Sequence, residues 1–328
     1  MPSSRLVLLF AMLVACRRGK HGDAYKMEQV AAQGARACAA MKDGSVRCWG
    51  RDGEKAVLTP ALLPGVEGAA SVCVGGSFVC ALTRTGTASC LGQSVQNATA
   101  IACGAAHACA LSAGKVLCWS DGKPPREIAS GATSIAAGGG TTCAILDGGA
   151  LECWGSGKRG QLGNGAFEDR DAPVPVAGVH AKSVAVGAEH TCAVLDDETI
   201  ACFGSDDDGQ LGDGNAEASA TPRKVQNVLI AQQVACGTHH TCARMGDSTV
   251  HCWGRNDVHQ AGLSTAPLVS TPTLVPGLYE STAVITGDDF TCVRMQDGWL
   301  RCFGVNDWGQ LADGTHEIRN VPNPIKYE

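Results

Sequence analysis

Aromatic residues are scarce in this sequence: Phe, Trp and Tyr together make up 5 % of its 328 positions. With so few rings and much Ala, each packing unit can bury only a little apolar area. Cationic runs are also missing, since no stretch of Lys and Arg exceeds two residues and the net charge is −6. Non-specific nucleic-acid binding needs many phosphate-neutralising cations on one face, so that partner class is set aside. The apolar run Leu6 to Val14 has nine residues, whereas a membrane-spanning helix needs about 20. No two Cys stand at the C-x2-C spacing that zinc sites favour, so no metal or other cofactor is expected.

Cys and Gly are abundant, at 18 and 42 residues. So many Cys suit an oxidising compartment. The N-terminus agrees: Arg5 precedes the apolar run, which has the length of a signal-peptide core. The run leads into Leu13-Val14-Ala15-Cys16, which resembles a bacterial lipobox with Cys16 as the lipidated first residue. The expected organisation is therefore a signal peptide at 1–15, a tether at 16–27 and a folded unit at 28–328. Arg17-Arg18 is expected at the lipid surface. Cleavage before Cys16 removes only Arg5 among the charges, leaving 25 basic and 32 acidic residues, or −7.

Seven Cys pairs recur. Six have a spacing of ten: Cys38/Cys48, Cys80/Cys90, Cys143/Cys153, Cys192/Cys202, Cys242/Cys252 and Cys292/Cys302. The seventh, Cys109/Cys118, has a spacing of nine. Each interval reads as a β-hairpin. Lys42-Asp43-Gly44, Arg84-Thr85-Gly86, Asp147-Gly148-Gly149 and Gln296-Asp297-Gly298 suit three-residue loops, with Gly in the final left-handed position. Asp196-Asp197-Glu198 and Gly246-Asp247-Ser248 lack that Gly, and the shorter pair fits a two-residue loop at Ala113-Gly114. These loops set each Cys opposite its partner, at a distance suited to one disulfide per hairpin if the pair is non-hydrogen-bonded. Cys73, Cys103 and Cys236 are left over, and an odd set requires at least one that is free or bonded outside the chain.

Around the pairs, Gly stands five residues before the first Cys in six units, from Gly75 to Gly287. His107, His190 and His240 share the slot two before it, and an aromatic follows the second Cys in six units. The last three steps between first Cys positions are 49, 50 and 50 residues. Periods of that size, with short strands and Gly-rich turns, point to propeller blades.

Cys153-Trp154-Gly155 followed by Gly160-Gln161-Leu162-Gly163-Asn164-Gly165 resembles the regulator of chromosome condensation repeat. Gly209-Gln210-Leu211-Gly212-Asp213-Gly214 and Gly309-Gln310-Leu311-Ala312-Asp313-Gly314 resemble it too, with a weaker version at His259-Gln260-Ala261-Gly262. The likeness runs over roughly 28–328, and units two and three are trimmed. It implies an all-β, seven-bladed propeller, a count that agrees with the seven hairpins. Paired Cys are not general to that family and read as an extracytoplasmic adaptation.

The three His share one repeat slot, so a structural role within the blade is expected. Asp206-Asp207-Asp208-Gly209 lacks the alternating ligands and distant Glu of a calcium loop, and reads as a solvated turn. The expected function is a monomeric, envelope-anchored scaffold that binds a protein or glycan partner. It would sit at the outer membrane or periplasmic face, or be released outside the cell. The candidate binding residues are Lys158, Arg159, Asp207, Asp208, Arg255, Asp257, His259, Asp307 and Trp308, all near the Gly-Gln-Leu-Gly turns. The competing expectation is a lyase or hydrolase with its site at the channel mouth. Convergent His and acidic side chains would favour it; a mouth of Ala, Ser and Thr would oppose it. Finally, Val321-Pro322-Asn323-Pro324-Ile325-Lys326 is expected to pair beside the strand near Val30 and close the ring.

Overall fold

The computed structural model of the chain describes residues 27–263 and 266–325. The signal-like run, Cys16 and Arg17-Arg18 lie outside the described residues. The first blade consists of β1 (Met27–Gln33), β2 (Arg36–Met41), β3 (Val46–Asp52) and β4 (Lys55–Leu62), hydrogen-bonded antiparallel in that order. The same meander recurs around the ring. One long strand, β16 (Arg170–Val186), is the outer strand of blade four and continues as the inner strand of blade five. Among the described residues, twenty-seven strands thus fill the 28 places of seven four-stranded blades.

The hairpin between the second and third strands of each blade carries the Cys pair, and all seven pairs are bridged. Cys38 is bonded to Cys48, Cys80 to Cys90, Cys109 to Cys118 and Cys143 to Cys153. Cys192 is bonded to Cys202, Cys242 to Cys252 and Cys292 to Cys302. In six of the seven the Cα atoms are 4.1 Å apart; in the Cys80 bridge they are 4.5 Å apart. The bridges are structural. Cys202 and Cys252 are fully buried in the joints between blades, and Cys118 is half-buried against the joint of blades three and four.

The turns explain the register. Gly44, Gly86, Gly149 and Gly298 lie at φ between +83° and +88°. Where Gly is missing, Glu198 and Ser248 take the same left-handed conformation at φ +63° and +65°. The shorter hairpin turns on Ala113 and Gly114, both left-handed, between the paired residues Ser112 and Lys115, which keeps Cys109 opposite Cys118 despite the missing residue.

The core lies between the blades. Seven apolar clusters are found among the described residues, and each joins two adjacent blades. An eighth disulfide, Cys73–Cys103, crosses from the inner strand of blade two to that of blade three. Cys236 is a free thiol on the inner strand of blade six.

Ring closure differs from the expected strand exchange. The last strand, β27 (Arg319–Pro324), pairs with its own blade's third strand, with Cys302 opposite Asn323, while β1 pairs only with β2. The Pro-containing segments 170–176, Ser219–Lys224, Leu268–Leu274 and Arg319–Pro324 are the outer strands of the preceding hairpins, so the C-terminal one needs no partner from the N-terminus. Side chains and loop backbone close the ring instead: the Asp288 amide donates to the Gly34 carbonyl and the Gly314 amide to the Leu58 carbonyl. Met27, Met41 and Trp49 pack against Phe290, Leu311 and Ile325. The Trp49 indole donates to the Gln310 carbonyl at 3.0 Å, and Arg294 donates to the carbonyls of Met27 and Glu28.

Candidate interaction face

Blades four to seven carry an insert between their third and fourth strands, and its turn has a fixed internal wiring. In blades five to seven Asp206, Asn256 and Asn306 are buried and accept the amides of Leu211, Ala261 and Leu311. The buried Gln161, Gln210, Gln260 and Gln310 fold back to accept the amide two residues earlier. The insert then grips the following blade. The carbonyls of Gln161, Gln210 and Gln260 accept from the hydroxyls of Thr191, Thr241 and Thr291, and Trp253 donates its indole N–H to Gln210. Leu162, Leu211 and Leu311 are fully buried in these joints.

The repeated His completes the joints. Nε2 of His107, His190 and His240 lies 2.7–2.9 Å from the hydroxyls of Thr142, Thr241 and Thr291. The role is structural, as expected, but it links neighbouring blades rather than acting within one. Burial pushes the His190 and His240 pKa values down to about 3, so both stay neutral.

On this frame the nine sequence-selected residues share one end of the ring, and most are paired. Arg159 bridges Glu189 at 3.0 Å and Asp207 at 2.7 Å, while Lys158 reaches Asp169. Asp208 faces His239 at 2.9 Å, and Arg255 clasps Asp257 at 2.6 Å. Trp308 lies under the Arg51 guanidinium, 4.7 Å from ring centroid to Cζ. Asp307 is exposed, and its carbonyl accepts from His316. His259 departs from the others: it is half-buried at φ +64°, filling the left-handed slot that Gly160, Gly209 and Gly309 hold elsewhere.

Four residues of this face escaped the sequence reading. Glu189, His239 and Asp289 occupy one slot, just before His190, His240 and Phe290, in the loop between first and second strands. Arg51 is the fourth. The repeat alignment could have shown the first three, because each stands two after a Gly at the channel rim. Asp289 accepts from Gln260, and burial together with Asp288 raises its pKa.

Asp206 stands apart chemically. It is fully buried, its Oδ1 accepts the Leu211 amide, and Oδ2 has no partner among the described residues. In blade seven the equivalent Asn306 donates its amide to Asp313 and Thr315. Burial raises the Asp206 pKa to about 7, with Asp213 adding to the rise and Leu211 and Arg223 opposing it.

The central channel holds about 600 Å³ and is lined mainly by Ala, Val and Gly of the inner strands. Gln29 and Gln233 stitch neighbouring inner strands together through the backbone of Val72 and Val284. Among the described residues, Asp288 is the one carboxylate in the lining, and its Oδ1 accepts the Gly34 amide across the closure.

Regulator of chromosome condensation (RCC1) repeat profiles match residues 149–194 and 200–244, and a second such profile matches 132–161, 181–210 and 231–260. Among solved structures, yeast RCC1 (Prp20) bound to Kap60 superposes with a TM-score of 0.65 at 18 % identity, covering 91 % of this chain and 74 % of that one. Human WBSCR16 gives 0.66 at 19 % identity, covering 92 % and 82 %. The ectodomain of the Arabidopsis thaliana receptor kinase ACR4 gives 0.57 at 18 % identity, covering 92 % and 99 %. No curated protein sequence matches the chain significantly.

Proposed function

Since the chain carries regulator of chromosome condensation repeats within residues 132–260 and shares the propeller fold of solved RCC1 structures, we propose that it is a binding scaffold, tethered to a bacterial envelope through lipid on Cys16, that holds a protein partner on its insert face. The observation that carries this reading is the row of charged and aromatic side chains running from Arg159 across Asp208 and Arg255 to Trp308, fixed on four inserts that are locked to the next blade. Rigid presentation lowers the entropy cost of association, and Trp and Arg are the side chains that most often anchor interfaces. Solved relatives support protein binding: yeast Prp20 has been seen with Kap60, and its binding to Gsp1p and histones has been described. A glycan is the lesser candidate, because the face offers ion pairs rather than open aromatic platforms.

Affinity capture from intact envelopes would supply the partner. Joint replacement Arg255→Ala and Trp308→Ala should then weaken binding at least about tenfold, or ~1.4 kcal/mol. Undiminished binding by a folded variant would move the site to another surface.

A second reading is an enzyme at the channel mouth. Its support is His239 facing Asp208 at 2.9 Å, with the raised-pKa Asp289 close by. The wall favours it less, being Ala, Val and Gly, with its single carboxylate committed to Gly34. Hydrolysis or elimination activity lost in His239→Gln but kept in the Arg255/Trp308 variant would establish it.

A further inference from the structure

We propose that the face opposite the inserts, where the hairpin tips of blades five to seven and blade one emerge, rests on a lipid bilayer surface. The proposal builds on the lipid anchor at Cys16.

Strand register assigns the residues to this end. The start of each inner strand pairs with the end of the second strand: Met27 with Met41, Ala231 with Met245 and Ser281 with Met295. Leu229 and Ile230 directly precede Ala231, Tyr279 stands two before Ser281, and Trp299 closes the tip after Met295. Leu62 and Leu274 pair with Arg47 and His251, each near the start of a third strand. These six are six of the ten exposed large apolar side chains among the described residues. Leu229 is 73 % exposed and Tyr279 56 %.

Two observations select a bilayer as the occupant. The described chain begins at Met27 on this same end, between blades one and seven, beside the Trp299 blade. Residues 16–26 are the eleven that would join it to the lipidated Cys. Eleven residues reach about 40 Å when fully extended and roughly 20 Å as a coil, so the hairpin face is the one kept near the membrane. The side chains also suit an interface: Trp and Tyr place amphipathic rings at headgroup level, and aliphatic neighbours add buried area. The tips carry acidic groups, namely Asp43, Asp197, Asp247 and Asp297, each accepting bonds within its own turn.

The test uses the full-length lipidated protein in phosphatidylethanolamine–phosphatidylcholine vesicles with brominated acyl chains. Vesicle flotation of wild type but not of Cys16→Ser reports the anchor. Quenching of tryptophan emission that disappears in Trp299→Phe reports the face, because Trp49 and Trp253 are buried in blade joints. Flotation without Trp299-dependent quenching overturns the docked face and leaves the anchor standing. No lipid on Cys16 overturns both. Trp299 already shielded in detergent, with no change on vesicle addition, would show that another part of the chain or a second copy covers the face, and also overturns the proposal.

Discussion

The joint between blades two and three and the joint between blades five and six meet one requirement with different chemistry. Both must hold two small sheets face to face. In the later joint an insert turn does this: Leu211 packs beside Trp253, and Gln210 accepts from both Trp253 and Thr241. Blade two has no insert, and its third and fourth strands, Ala88–Cys90 and Gln93–Val95, have three residues each. Trp119 still donates to a backbone carbonyl, that of Cys90, at 3.2 Å. The lost area is offset by a covalent link, Cys73–Cys103, set beside Cys80–Cys90 in the same cluster. At this one trimmed joint a disulfide stands where an insert stands in the later one.

The largest expected effect comes from breaking the packed joint. Trp253 is fully buried, and Trp253→Ala should cost about 3–5 kcal/mol in chemical denaturation. A loss below about 1 kcal/mol would show that neighbouring joints carry blade six. Removing the covalent joint comes next. Cys73→Ala with Cys103→Ala opens a 30-residue loop, for which the chain-entropy model gives about 3–4 kcal/mol. An unchanged midpoint would mean the Trp119 contacts suffice, and the substitution argument would fail.

The third test concerns pH. Asp206 has a folded pKa raised from 3.8 to about 7, so the native state binds its proton more tightly than the unfolded chain does. Its contribution is favourable below pH 3.8 and is lost as pH rises toward about 7. Asn has the amide that blades six and seven use at this slot. Asp206→Asn should therefore be near neutral at pH 4 and stabilise at pH 8 by about 1–3 kcal/mol, the usual cost of an unsatisfied buried group. A constant difference across that range would show that Asp206 does not change charge there.

These joints also show what a sequence can reveal. Hairpin bridges such as Cys192 to Cys202 and Cys242 to Cys252 were legible because a ten-residue spacing and a left-handed third turn residue fix both partners within one local register. Cys109 to Cys118 was legible by the same logic with one residue fewer in the turn. Cys73–Cys103 was not, since it depends on how two blades lie against each other. The signal was present in part: Cys103 stands one before Gly104, and Cys73 two before Gly75. Closure was misread because the Pro-rich and Gly-containing segments are contiguous in β16, although its two halves serve different blades. The insert face was legible by slot, because the Gly-Gln-Leu-Gly turns mark it. Partners across a joint, such as Glu189 and His239, lie a blade away from the motif and were missed.

The smallest expected effect sharpens the comparison by moving the sulfur device to a packed joint. Cys236 stands one before Gly237, as Cys103 stands one before Gly104. Ala185 stands two before Gly187, as Cys73 stands two before Gly75. The thiol of Cys236 lies 3.6 Å from the Ala185 carbonyl. Burial also raises the thiol pKa, which keeps it protonated and slow to react. Ala185→Cys should place a second sulfur against it and form a bridge during oxidative folding. Thiol titration of the unfolded protein would then find no Cys236 thiol. Because the insert already holds blades five and six, the gain should be only about 1 kcal/mol, well below the chain-entropy value for such a loop. A full gain of about 4 kcal/mol would mean this joint opens as readily as a trimmed one, and the contrast between sulfur and packing would collapse. Failure to bridge would show that the two inner-strand positions are not equivalent despite their matching place before the Gly.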